Sequence, residues 1–331
     1  MNNTNQAGKG PILELRNLSI ALRTGNAGVL NIVENISFSL HQGHTLGVVG
    51  ESGCGKSILA SSLLKLAPNG TEERLSGQVL LDGHDLVPVG EKAMRQIRGH
   101  KMAMIFQEPM TALNPAYRIE TQMREALRAH KRIGYRESQR LIVELLNQVG
   151  IPQSRTVARQ FPHQLSGGMR QRVMIAMAIS CMPELLIADE PTTALDVTIQ
   201  AQILALMKDI KEKLKAAIIF ISHDMGVIRE IADYVMVMYA GELVEYSPCD
   251  EIFSRPLHPY TSALLKSIPR SKNNADELYT IRDTVPQIGA MPRGCRFSPR
   301  CDCALPRCHE EKPSEIFEGE HRVRCWKYGN I

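Results

Sequence analysis

GESGCGKS, residues Gly50–Ser57, decides how the rest of the chain is read. It fits G-x-x-x-x-G-K-[ST] at every fixed position. The apolar run TLGVVG (Thr45–Gly50) leads into it as a buried strand, and a helix is predicted to start near Lys56. Strand, loop and helix thus follow in the order that phosphate binding requires. Glycines let the backbone curl so that its N–H groups face inward, and those donors add to the positive end of the helix. Lys56 is placed to reach the β- and γ-phosphates of a nucleotide, and the Ser57 hydroxyl to bind Mg²⁺. Gly50, Ser52, Gly53 and Gly55 complete the cradle, while Cys54 fills a variable position.

Outward from this loop, strands are predicted at Ile12–Leu22, Asn35–Leu40, Gln78–Gly83, Met102–Phe106, Leu185–Asp189, Ala217–Ser222 and Tyr234–Tyr239. Residues 119–182 and 197–215 read as helix, from apolar residues at helical spacing. Strands alternating with helices predict an α/β layer structure around a largely parallel sheet. The block at about 119–182 interrupts the alternation and reads as a helical subdomain. The polar stretch SKNNADELYT (271–280) reads as a linker to a cysteine-rich tail. Fifteen methionines, among them Met102, Met104, Met174, Met177, Met236 and Met238, are expected to fill core space.

Two further segments carry chemistry. In LLIADEP (Leu185–Pro191) an apolar strand ends in adjacent carboxylates. Asp189 is placed to hold Mg²⁺, and Glu190 to orient or deprotonate an attacking water. In QLSGGMRQR (Gln164–Arg172), Ser166 is a helix N-cap followed by two glycines, which makes a second place for an anion. No Asn-Lys-x-Asp sequence for reading guanine is present.

The 331 residues are 44% apolar and 22% charged with a net charge of +4, an ordinary globular composition without the dense basic clusters of a nucleic-acid binder. The polar N-terminus lacks the apolar stretch of a secretory signal. The longest apolar runs, such as AAIIFI (Ala216–Ile221), are strand-sized and far short of a membrane span. The expected location is cytosolic, with any membrane role reached through a partner.

Taken together, the motifs resemble those of an ATP-binding-cassette (ABC) ATPase, the nucleotide-binding subunit of ABC transporters. GESGCGKS, Gln107 in IFQEP, LSGGM, LLIADEP, TALD (Thr193–Asp196) and His223 in ISHD occur in the family's order, over about Ile12–Ser254. The resemblance implies a P-loop NTPase domain with a RecA-like core sheet, an antiparallel β edge and a helical subdomain. It implies that two cassettes pair head to tail around ATP. Ser166, Gly167 and Gly168 of one would then face the nucleotide held by the other, with Asp196 at their interface. Gln107 would sense Mg²⁺ and the γ-phosphate, and His223 would align the water with Glu190. Two positions depart from the family pattern: Leu22 stands where an aromatic ring usually stacks on adenine, and Met169 where glutamine is commoner.

Five cysteines, Cys295, Cys301, Cys303, Cys308 and Cys325, crowd the tail. The residues alone leave open disulfides, zinc, simple burial and an iron–sulfur cluster; arginines nearby suit a negatively charged cluster. RPLHPYTSALL followed by GCRFSPRC resembles the C-terminal extension of oligopeptide/dipeptide (peptide/nickel) permease cassettes of the D type. That resemblance implies a [4Fe–4S] cluster on Cys295, Cys301, Cys308 and Cys325, with Cys303 spare. The expected organisation is a nucleotide-binding domain over 1–255 and a cysteine-rich extension over 256–331. The expected role is energy coupling in a peptide importer, or in one for nickel or another small solute. Expected partners are a related second ATPase subunit, two transmembrane permease subunits and, indirectly, an extracytoplasmic solute-binding protein, at the cytoplasmic side of the inner membrane. A soluble ABC ATPase would usually carry a coiled-coil insertion or a second cassette, and neither is seen.

Overall fold

The structure, a computed structural model, describes residues 10–24, 28–68, 70–268 and 280–328. The linker expected at 271–280 lies outside them save for its last residue. Among the described residues the strands in chain order are β1 (Leu13–Thr24), β2 (Val29–Leu40), β3 (Thr45–Val49), β4 (Thr71–Leu81), β5 (His84–Asp85), β6 (Met102–Ile105), β7 (Leu185–Asp189), β8 (Ala217–Ile221), β9 (Tyr234–Tyr239), β10 (Glu242–Pro248), β11 (Ile316–Glu318) and β12 (His321–Val323). The helices are α1 (Lys56–Leu63), α2 (Glu91–Ile97), α3 (Pro109–Ala112), α4 (Ile119–His130), α5 (Tyr135–Gln148), α6 (Ser154–Val157), α7 (Gly167–Ile179), α8 (Val197–Leu214), α9 (Met225–Ile231), α10 (Cys249–Ser254), α11 (Pro259–Lys266) and α12 (Pro306–Glu310).

Two compact units emerge. The first draws on 1–40, 45–88 and 220–331, the second on 41–44 and 89–219. The described part of the tail therefore belongs to the first unit.

In the first unit, β2, β1, β4 and β5 form an antiparallel sheet in that order. Leu13 and Leu15 face the core from β1, and then the phase slips so that Leu18 and Ile20 do, all at most 1% exposed. A bulge makes the slip: the register to β4 jumps between Arg16 and Ser19, with Asn17 at φ 49° opposite Gly77. Each buried Leu or Ile contributes about 1.5–3 kcal/mol by leaving water. The unit's other sheet runs β11-β12-β10-β9-β3, parallel at β3/β9 and antiparallel elsewhere. β3 is buried throughout, as expected of a strand flanked on both faces. Ser222 N–H donates to Val48 across 3.1 Å, which carries the chain after β8 alongside β3.

In the second unit, β6 and β7 pair in parallel, and α4, α5, α6 and α7 form the expected helical block. Ala217 N–H donates to Glu184 across 2.9 Å, so β8 starts beside the β7 lead-in. α8 presents Ile203, Leu206, Met207 and Ile210 as a buried stripe at helical spacing. Of the methionines expected in the core, Met102, Met174, Met236 and Met238 are buried.

Candidate functional site

In the first unit the loop Gly50–Ser57 joins β3 to α1. Gly50, Gly53 and Gly55 sit at φ 153°, 80° and 101°, in the region that favours glycine. Lys56 Nζ donates to the carbonyls of Gly50 (2.7 Å) and Glu51 (3.0 Å), so the ammonium is folded over its own loop. Ser52, Gly53 and Ser57 are exposed at the mouth. Burial pushes the Cys54 thiol above its ordinary range, against the pull of Lys56, and its sulfur serves as packing under Gly50. His223 is exposed just past β8, where the Asp224 side chain caps α9 by accepting from Gly226 (2.7 Å) and Val227 (3.4 Å).

In the second unit Asp189 ends β7 and is 5% exposed. Glu190 follows at φ 46°, a turn that throws its carboxylate off the strand line. Its Oε2 accepts from Gln107 Nε2 (3.2 Å) and Thr193 Oγ1 (2.8 Å). Ser166 caps α7 by accepting from Met169 N–H (3.3 Å), as its sequence position implies. Asp196 likewise caps α8, accepting from Ile199 N–H (2.9 Å). Gly168 has to be small, because a Cβ there would press on Ile199 at 3.0 Å.

Around α3, Leu113 is 2% exposed because the chain turns it inward, whereas Met110 is 54% exposed and Phe106 and Tyr117 are also open. Leu22 is buried within β1, opposite Leu30 on β2, and offers no open face to a base.

The tail builds a second candidate site in the first unit. Cys295, Cys301, Cys303, Cys308 and Cys325 line one cavity together with His258, Phe297 and Trp326. Gly294 makes the crossing possible: a Cβ there would strike the Cys308 carbonyl, which accepts from Cys295 N–H across 2.8 Å. Burial, with some contribution from neighbouring cysteines, lifts the Cys295 thiol to about 12 and also raises Cys301 and Cys325. His258 is held down to about 4 by burial. Among the described residues, no three His, Cys, Asp or Glu side chains are arranged to hold a single metal ion.

Sequence reasoning missed three residues near these sites. Thr193 was read only as part of a motif. Glu51 and Arg300 meet across 249 positions, and no local pattern announces such a pair.

Comparison with known proteins agrees with this geometry. Residues 33–193 match the family described as ABC transporter. The fold is similar to that of a solved dimeric ATP-binding cassette, MJ0796, in a post-hydrolysis state with ADP and Pi; the TM-score is 0.63 at 24% identity, covering 72% of this chain and 98% of that one. The chain is thus an ABC-type ATPase, a P-loop nucleotide-binding protein that hydrolyses ATP. Residues 244–308 match the C-terminal region of oligopeptide/dipeptide transporters. A Brucella abortus peptide import ATP-binding protein is 47% identical over 315 residues, covering 95% of this chain and 94% of that one. The Bacillus subtilis dipeptide transport ATP-binding protein DppD is 44% identical over 316 residues, with the same coverage. The chain belongs to the ATP-binding proteins of the oligopeptide/dipeptide ABC transporter family.

Proposed function

We propose that this chain is the energy-coupling ATPase of an importer for dipeptides or oligopeptides. The observation that carries the proposal is the presence, in one chain, of an ABC match over 33–193 and an oligopeptide/dipeptide match over 244–308. The names of the relatives point to the same cargo. The chain works at the cytoplasmic face of the membrane, bound to two permease subunits and paired with a related cassette, while an extracytoplasmic binding protein delivers the peptide. Among the described residues no helix is long and apolar enough to cross a membrane. Exposed Phe106, Met110 and Tyr117 offer an apolar surface for a permease.

Lys56 and the N–H groups of the Gly50–Ser57 loop take the phosphates, and Ser57, Gln107 and Asp189 hold Mg²⁺, which offsets phosphate charge. Glu190 takes the proton of the attacking water, and His223 aligns that water. Ser166, Gly167 and Gly168 serve the nucleotide of the partner cassette, and Asp196 lies at the interface. ATP thereby joins two positively polarised surfaces, and its cleavage removes the join. Cys295, Cys301, Cys308 and Cys325 hold a [4Fe–4S] cluster whose iron–sulfur bonds staple the tail; supporting this, the thiols line a common cavity.

The test is isolation of the tagged chain from membranes, followed by reconstitution with whatever permease subunits accompany it. ATP turnover stimulated by peptide-loaded binding protein is expected. Turnover indifferent to peptide, with no permease recovered, would overturn the reading.

A further inference from the structure

The tail grips the phosphate loop. Glu51 is the second residue of that loop, and its backbone N–H donates to Tyr260 Oη on α11 across 2.8 Å. Its carboxylate accepts two bonds from Arg300, from Nη1 at 2.6 Å and Nη2 at 2.9 Å. The Arg300 side chain is 2% exposed. Its other donors go to Tyr239 Oη (3.2 Å), the Arg282 carbonyl (2.7 Å) and the Asp283 carbonyl (3.1 Å). All five guanidinium N–H groups are therefore used.

A two-pronged arginine–carboxylate pair fixes the position and the plane of both partners. Here the partner is part of the phosphate cradle itself. The Glu51 carbonyl helps hold Lys56, so moving Glu51 moves the lysine and re-aims the adjoining N–H groups. A second grip lies close by: Arg296 Nη1 donates to the Ala240 carbonyl, and the next residue, Gly241, donates from its N–H to the Cys54 carbonyl across 2.9 Å. Cys301, next to Arg300, and His258, the cap of α11, both line the cysteine cavity.

We infer that Arg300 and Tyr260 are positioning residues of the ATP site, and that the tail keeps the phosphate loop in its anion-binding shape. The inference rests on the reading that Gly50–Ser57 holds the nucleotide phosphates. Neither side chain touches the nucleotide; each acts through Glu51.

Titration of the full-length chain with the fluorescent nucleotide mant-ATP tests this, with thermal unfolding and steady-state ATP turnover read on the same samples. Tyr260→Phe removes only the oxygen that accepts from Glu51 and leaves the ring in place. Arg300→Gln removes the two-pronged pair. Each is expected to weaken mant-ATP binding by about tenfold, the scale of one lost charge-assisted contact, and to raise KM more than it lowers kcat. Arg300→Lys keeps the charge without the fork and is expected to recover only part of the loss. Glu51→Gln combined with Arg300→Gln should be no worse than Arg300→Gln alone. Wild-type affinity in folded Tyr260→Phe and Arg300→Gln proteins, with affinity lost in Lys56→Ala, overturns the inference and leaves the loop reading standing. Wild-type affinity in Lys56→Ala overturns the loop reading itself. Should Arg300→Gln fail to fold, Tyr260→Phe decides alone.

Discussion

Gln107 and Glu190 lie 83 residues apart and meet through a 3.2 Å hydrogen bond from Nε2 to Oε2. The same oxygen accepts from Thr193, so one carboxylate oxygen is shared by two donors. Gln107 and Thr193 together fix the orientation of the Glu190 carboxylate beside the end of β7.

Replacing Glu190 with glutamine keeps the shape and an acceptor for Thr193 while removing the base. ATP binding is expected to survive, hydrolysis to fall by about 10²-fold or more, and an ATP-bound dimer with the partner cassette to accumulate. Phosphate release and size-exclusion chromatography with Mg²⁺–ATP read the two effects. Unchanged turnover would remove Glu190 from its role.

Gly50→Ala places a Cβ on the Met238 carbonyl and the Cys54 sulfur at φ 153°. Backbone strain of this kind costs about 1–3 kcal/mol, before any displacement of β9 is counted. We expect a lowered urea midpoint together with loss of ATP turnover. A variant as stable and active as the wild type would show that the loop tolerates a different path.

Glu34 provides a pH dependence. Burial alone would lift its carboxyl, yet Lys312 and Arg296 outweigh that and hold it below the usual range. A depressed carboxylate stabilises the fold at pH above its unfolded value of about 4.3 and loses that contribution as pH falls through its native value. Stability measured in urea is therefore expected to drop on acidification from about pH 5, and Glu34→Gln to flatten that part of the curve. Identical acid limbs would exclude the ion pair as a source of stability.

The cysteine cavity makes an analytical prediction. Chain purified without oxygen is expected to carry about four iron and four sulfide per molecule. Serine at position 295, 301, 308 or 325 should abolish this content, and Cys303→Ser should leave it intact. Zinc in stoichiometric amount, with no sulfide, would point to a different group.

The phosphate loop, the Asp189–Glu190 pair and the Ser166 cap were legible because each is a local device: residue type and spacing within a few positions carry the chemistry. Buried strands such as β3, β7 and β8 were legible for the same reason, as short unbroken apolar runs. The antiparallel strands were only half visible. β2 was expected from Asn35 and begins at Val29, and β4 was expected from Gln78 and begins at Thr71. Their outer halves pair along β1 with charged residues such as Glu72, Glu73 and Arg74, which hide the alternation. β10 was missed because it buries Glu245. That carboxylate is satisfied by His321 Nε2 (2.7 Å) and by the Leu257 (2.7 Å) and His258 (2.9 Å) N–H groups, partners that no window around β10 contains. The grip of Arg300 on Glu51 was hidden for the same reason: its two ends are too far apart in sequence.

That separation also bears on synthesis. Glu51 leaves the ribosome 249 residues before Arg300 does. At roughly 5–20 residues per second, the interval is about 12–50 s. Throughout it, the nascent polypeptide carries a finished phosphate-binding motif without its clasp, and the first unit acquires that clasp only once Arg300 has been made.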